Sequence, residues 1–201
     1  MRSPLELWLQ EHRDIIEHAD RLAELLAPSD IQARLVAPDQ EELRLKIAGH
    51  FEAFLKMARG HFRCEEEQLV PAIRRHLDPE EPAIRNALGC LEREHTQMHR
   101  FTERAMKLLP ALRGEKPPKP TEAAEILRVG FGIQSILRHH CTKEEQDVYP
   151  LINELPLKVV EALFESAGPS EDIPLNHLVK PLGEGSEPSP YVSRNGEGPE
   201  N

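Results

Sequence analysis

Two stretches of the chain, His-Phe-Arg-Cys-Glu-Glu at 61–66 and His-Cys-Thr-Lys-Glu-Glu at 140–145, each run on to a proline, Pro71 and Pro150, and share the skeleton His-x-x-x-Glu-Glu-x-x-x-x-Pro. On a helix, residues three, four or seven apart share a face. His61 is thereby in line with Phe54, Met57, Ala58, Glu65, Leu69 and Ala72, and His140 with Val129, Ile133, Ile136, Glu144, Val148 and Leu151. Each stripe is apolar except for one imidazole and one carboxylate. Any fold that buries these stripes must bury the polar groups with them. Unpaired charge in an apolar interior is strongly unfavourable, so the groups require protons, partners or a cation.

Four long helical periodicities run near 4–27, 39–77, 82–109 and 120–154, each bounded by Pro, Gly or Asp and rich in Ala, Leu, Glu, Arg and Ile. In the first, His12 is in line with Leu5, Trp8, Leu9, Ile15, Ile16 and Ala19. In the third, His95 is in line with Ile84, Leu88, Leu91, Met98 and Leu109, and His99 follows one turn later. The connectors Leu-Asp-Pro-Glu-Glu-Pro and Arg-Gly-Glu-Lys-Pro-Pro-Lys-Pro are short enough for neighbouring antiparallel helices, while the first connector, Ala27 to Pro38, is the longest. The pattern predicts an all-α chain folded as an up-down-up-down four-helix bundle.

The segment from Pro156 places Val160, Leu163 and Phe164 at helical spacing and reads as a short fifth helix stopping at Gly168-Pro169. Residues 169–201 are acidic and rich in Pro, Gly and Ser, with too little apolar surface to offset the entropy of ordering. The expected organisation is one bundle domain over 1–168 and a disordered tail over 169–201, in which Ile173 to Leu182 is the stretch best suited to dock. A chain of 201 residues is long enough for one such core.

The net charge of -10, with no sustained Lys/Arg block, points away from nucleic acid as a partner. No apolar run approaches the roughly twenty residues that span a bilayer, and charge comes too early for a signal peptide. No membrane partner is expected, and the cytoplasm is the expected location. Cys64, Cys90 and Cys141 form an odd set without Cys-x-x-Cys spacing, which reads as small thiols rather than a disulfide framework or zinc site. No Ser-His-Asp arrangement, phosphate loop or nucleotide fingerprint supports hydrolysis or phosphoryl transfer.

Five inward histidines, His12, His61, His95, His99 and His140, and two inward glutamates, Glu65 and Glu144, spread over four helices, make a poor core without metal. Imidazole with carboxylate suits iron better than calcium or magnesium. Two six-coordinate irons offer about twelve positions. Five imidazoles, two bridging carboxylates and a bridging oxide fill all but one, leaving a place for dioxygen, nitric oxide or peroxide. Ferritin-like bundles need Glu-x-x-His on two helices, and here only Glu92 and His95 fit.

These residues resemble the hemerythrin-like family, also called HHE cation-binding domains, over roughly residues 4–154. The family pattern of an early His, His-x-x-x-Glu, His or His-x-x-x-His, and a His-carboxylate pair is matched by His12, His61 with Glu65, His95 with His99, and His140 with Glu144. The resemblance implies two non-haem iron ions, oxo- or hydroxo-bridged, in a four-helix bundle, with Glu65 and Glu144 as bridges. Oxygen-carrying members place an Asp five residues after the fourth-helix His; here Glu145 holds that position, and face geometry favours Glu144. Three functions follow as expectations. They are small-ligand binding or sensing, an enzyme removing peroxide or repairing nitrosative damage to iron centres, and iron handling or regulation.

The remaining candidates have plainer roles. His18, His76 and His177 read as structural or surface groups, and His139 as solvated. His50, eleven residues before His61, returns to nearly the same face and is expected to support a ligand by hydrogen bonding. Glu66, Glu67 and Glu145 read as solvated, with Glu66 or Glu145 able to orient a ligand. Trp8 reads as a core aromatic, and Pro71 and Pro150 are expected to kink their helices.

Overall fold

The computed structural model describes residues 4–166. In order these form α1 (Pro4–Leu26), α2 (Ile31–Val36), α3 (Glu41–Cys64), a π turn (Glu65–Leu69), α4 (Val70–His76), α5 (Pro82–Arg113), α6 (Pro120–Lys143), a second π turn (Glu144–Val148), α7 (Tyr149–Ile152) and α8 (Leu157–Ser166). The described residues contain no strand. They also contain no helix long and apolar enough to cross a membrane.

Three differences from the sequence-based boundaries have local causes. The first connector is itself partly helical, because Ile31 and Leu35 of α2 are buried and dock it on α6. α5 runs to Arg113 through Pro110, past the expected end at 109. The periodicities over 39–77 and 120–154 are each interrupted by a π turn that begins at the glutamate of the repeated motif.

Proline accounts for these π turns and for their place in both halves. Pro71 and Pro150 lack an N–H and crowd the carbonyl four residues back, so a tight α-turn is disfavoured just upstream. The wider turn takes its place, with the Val70 N–H donating to the Glu65 carbonyl and the Tyr149 N–H to the Glu144 carbonyl, each five residues back. The irregularity expected at the prolines takes this form.

Four long segments pack pairwise in a ring: α1 against α3, α3 against α5, α5 against α6, and α6 against α1. Their apolar faces form two separate clusters. One contains Ile15, Leu22, Phe51, Phe54, Phe62, Met98, Ile126 and Leu137. The other contains Trp8, Leu69, Ile73, Leu91, Val148, Tyr149 and Leu163.

On every long segment the predicted ligand lies between the two clusters. His12 falls between Trp8 and Ile15, His61 and Glu65 between Ala58 and Leu69, His95 between Leu91 and Met98, and His140 and Glu144 between Leu137 and Val148. A polar layer thus divides the core. In α8, Leu163 is buried in the second cluster and Val160 packs against it, as the spacing predicted. The expected helix stop at Gly168-Pro169, the disordered tail over 169–201 and its docking stretch lie outside the described residues.

Candidate metal centre

The polar layer consists of His12, His61, Glu65, His95, His140 and Glu144, all buried. Their ligand atoms fall into two groups. His12, His61, Glu65 and Glu144 each offer one atom within 4.8 Å of the others, and so do Glu65, His95 and His140. Glu65 belongs to both. Its Oε1 is 2.6 Å from His61 Nε2, and its Oε2 is 3.0 Å from His95 Nε2 and 3.9 Å from His140 Nε2. Glu144 Oε2 lies 3.1 Å from His12 Nε2, 3.5 Å from His140 Nε2 and 3.8 Å from His61 Nε2.

All four imidazoles therefore turn Nε2 inward, and the opposite ring nitrogen explains why. His61 Nδ1 is 3.3 Å from Glu11, His95 Nδ1 is 2.9 Å from Glu66, His140 Nδ1 is 3.3 Å from Glu94, and His12 Nδ1 is 2.9 Å from Glu145. An ionised carboxylate can only accept, so each Nδ1 donates and each Nε2 is left as the free nitrogen. The four contacts run round the ring in one sense. Glu11 of α1 braces the histidine of α3, Glu66 of the first π turn that of α5, Glu94 of α5 that of α6, and Glu145 of the second π turn that of α1. Carboxylates behind metal-binding imidazoles fix their tautomer and orientation in this way.

The inner atoms are poorly satisfied among themselves. Glu65 Oε1 and Oε2, Glu144 Oε1, His95 Nε2 and His140 Nε2 are buried without a well-aligned hydrogen bond, although Glu65 lies within 3.0 Å of His61 and His95. His12 Nε2 and His61 Nε2 face each other at 2.9 Å, a pair that needs a proton or a cation between them. The ionisation of the metal-free cluster shows the same demand. Burial lowers the pKa of His61, but Glu65, Glu11 and Glu144 together outweigh it and hold the imidazole well above its ordinary value. Burial also opposes His95, whose ring nitrogens face the accepting carboxylates of Glu65 and Glu66, and these lift it to about 9. Burial raises Glu65, whereas His61 and its neighbours carry it well below the usual carboxylate range. The raised values of His61 and His95 favour protons at places that a metal ion would otherwise take, and the donor set fits a cation with affinity for nitrogen and oxygen.

Two sequence expectations require correction. His99 does not enter the cluster: its side chain is 51% exposed and its Nε2 pairs with Glu66 at 2.7 Å, because Met98 takes the buried position one turn beyond His95. His50 supports no ligand. Its ring faces His18, with centroids 5.9 Å apart, and burial followed by His18 lowers its pKa. His139 is 60% exposed, though it is not free of the site, since its Nδ1 donates to Glu94. Glu66 and Glu145 contact the Nδ1 atoms of His95 and His12.

Sequence reading missed Glu11, Glu94 and Tyr149. Glu11 and Glu94 are each the residue before a ligand, His12 and His95, but each serves a histidine on another helix, which face periodicity along one helix cannot reveal. Tyr149 Oη donates to His12 Nε2 at 2.9 Å, and the rings stack with centroids 5.3 Å apart. In the first copy of the motif the matching position is Val70, so the repeat carried no signal for the phenol. Phe62 fills the space between the imidazoles, its ring centroid 4.9 Å from that of His95 and 5.5 Å from that of His140.

The chain matches the hemerythrin HHE cation binding domain over residues 3–152, a span that contains every residue of this layer. It belongs to that family. No curated protein and no solved structure matches the chain.

Two predictions follow for this family member. Replacing a bracing carboxylate by its amide, as in Glu94→Gln or Glu11→Gln, is expected to weaken metal affinity about 10–100-fold with little loss of helix content. Competition titrations against a chelator check this, and His139→Ala, whose ring is outside the cluster, is expected to change the affinity far less. The second prediction concerns pH. Because the His95 pKa of about 9 lies above the ordinary 6.5, its proton stabilises the metal-free fold fully below about 6.5, and that contribution is lost as pH rises through about 9. Metal must displace this proton, so affinity should fall by about tenfold or more per pH unit on going from pH 8 to pH 6. Affinity independent of pH in that window would contradict the protonation described.

Proposed function

We propose that this chain is a non-haem di-iron protein that takes up a small ligand, dioxygen, nitric oxide or peroxide, at an open iron position. In this reading the ring of α1, α3 with α4, α5, and α6 with α7 is an up-down-up-down four-helix bundle. Its two ligand groups hold an oxo- or hydroxo-bridged pair of iron ions, with Glu65 and Glu144 as bridging carboxylates. One observation carries the proposal: two overlapping groups of buried ligand atoms share Glu65 and leave five inner oxygen and nitrogen atoms without well-aligned hydrogen bonds. Mixed imidazole and carboxylate donors favour iron over calcium or magnesium.

Bound iron supplies a Lewis-acidic, redox-active centre for small oxygen- or nitrogen-containing ligands. The protein's own groups do the rest. The bracing carboxylates keep four Nε2 atoms directed inward. Phe62, Trp8 and Leu69 surround the layer with apolar side chains that limit water. Burial, then the nearby Glu144 and Glu65 carboxylates, push the Tyr149 pKa upward, so its phenol stays protonated and available as a hydrogen-bond donor beside His12. The three cysteines are unpaired, in keeping with a reducing cytoplasm.

A second reading, an enzyme that removes peroxide or repairs nitrosative damage to iron centres, is favoured by the position of His99. With that imidazole outside the cluster, four histidines remain, and more positions are left for a reacting ligand than a five-histidine set would leave.

Metal analysis and optical spectroscopy of protein from iron-supplemented cells test the proposal. About two irons per chain are expected, with near-ultraviolet absorption that shifts on adding azide or nitric oxide. Sustained consumption of added peroxide would select the enzymatic reading. A stably helical protein without iron would refute both.

A further inference from the structure

We propose that the groove between α5 and the second π turn is the port through which divalent metal ions enter, an inference that rests on reading the buried His/Glu layer as a metal centre. A surface groove of about 510 Å³ is lined by Asn86, Cys90, Lys143 and Asp147 among others. Next to it is a cavity of about 10 Å³ lined by Cys90, Glu94, Lys143, Glu144 and Asp147 with apolar neighbours. Ala87, Cys90, Lys143 and Asp147 line both, so the two adjoin. The inner cavity is close to the smallest space that holds one water molecule. On this proposal it is the neck of the path, with the buried Glu144 in its lining.

The lining selects by charge. Asp147, Glu94 and Glu144 stand against the single cation Lys143. Lys143 is paired with Asp147 at 3.4 Å, with both side chains more than 40% exposed. An exposed pair of this kind contributes little and is readily displaced. Glu144 is 1% exposed, lines the neck, and has an Oε1 with no hydrogen-bond partner. A divalent cation arriving at Asp147 meets a passage too narrow for its hydration shell. There carboxylate oxygens can replace the waters it sheds, and the last of these carboxylates is itself a member of the centre. An anion meets net repulsion along the same path. Clefts lined with one sign of charge raise association rates by about 10–1,000-fold.

Uptake of Co(II) by the metal-free full-length protein tests the port. The single tryptophan, Trp8, has its ring centroid 5.7 Å from that of Tyr149, which stacks on His12, so quenching of its fluorescence reports arrival. Asp147→Lys is expected to slow uptake about tenfold or more with final cobalt per chain unchanged, and Cys90→Trp, which crowds the neck, should also slow it. Glu103→Lys, an equal charge change at an exposed site farther along α5, should leave the rate within about twofold. Circular dichroism verifies folding, and Asp147→Lys alone decides if Cys90→Trp does not fold.

Native rates in Asp147→Lys would overturn the port. So would equal slowing by Glu103→Lys, which would mean that net charge alone steers the ion. Lower final occupancy with unchanged rates would assign these residues to the centre and not to the path. Failure of the native protein to take up cobalt would remove the metal centre, and the port with it.

Discussion

The structure depends on one carboxylate, Glu65, placed between two sets of imidazoles. Its two oxygens face His61 on one side and His95 and His140 on the other, in a layer with almost no exposure. Two buried carboxylates against four imidazoles that are neutral when they act as ligands leave negative charge in a core that cannot solvate it. Protons or metal ions must supply the balance. In the metal-free state the raised pKa values of His61 and His95 show protons doing so. The same atoms, freed of those protons, form two adjacent donor sets.

The apolar core accommodates this layer by dividing around it, with one cluster on each side and ligands contributed at the same level by every long segment. The closed cycle of bracing carboxylates, each on one helix and each holding the histidine of the next, couples the orientation of the imidazoles to the packing of the helices. A change in the position of one helix is therefore felt at the ligand of its neighbour. The π turns contribute at two of the four corners, because each begins at an inner glutamate and places the next residue, Glu66 or Glu145, within reach of a different helix.

Much of this was legible in the sequence because helical periodicity is strict. The stripes containing His12, His61, His95 and His140 gave the helices, their buried faces and the level of the polar layer. Glu144 and not Glu145 lies inside for the same reason: four residues return to one face and five do not. Periodicity was weaker for His99, where the buried position after His95 is taken three residues on by Met98 and the neighbouring His99 is left at the surface. It was silent about contacts between helices, so Glu11, Glu94 and Tyr149 could not be found. The π turns were foreshadowed only by the prolines.

Native mass spectrometry of the iron-loaded chain, comparing the natural sequence with Glu65→Ala and His95→Ala, tests most directly whether Glu65 joins two metal sites. The account predicts about two metal ions on the natural chain, one retained when His95 is removed, and none held stably when the shared carboxylate is lost. A natural chain that holds one ion, or a Glu65→Ala chain that keeps two, would contradict it.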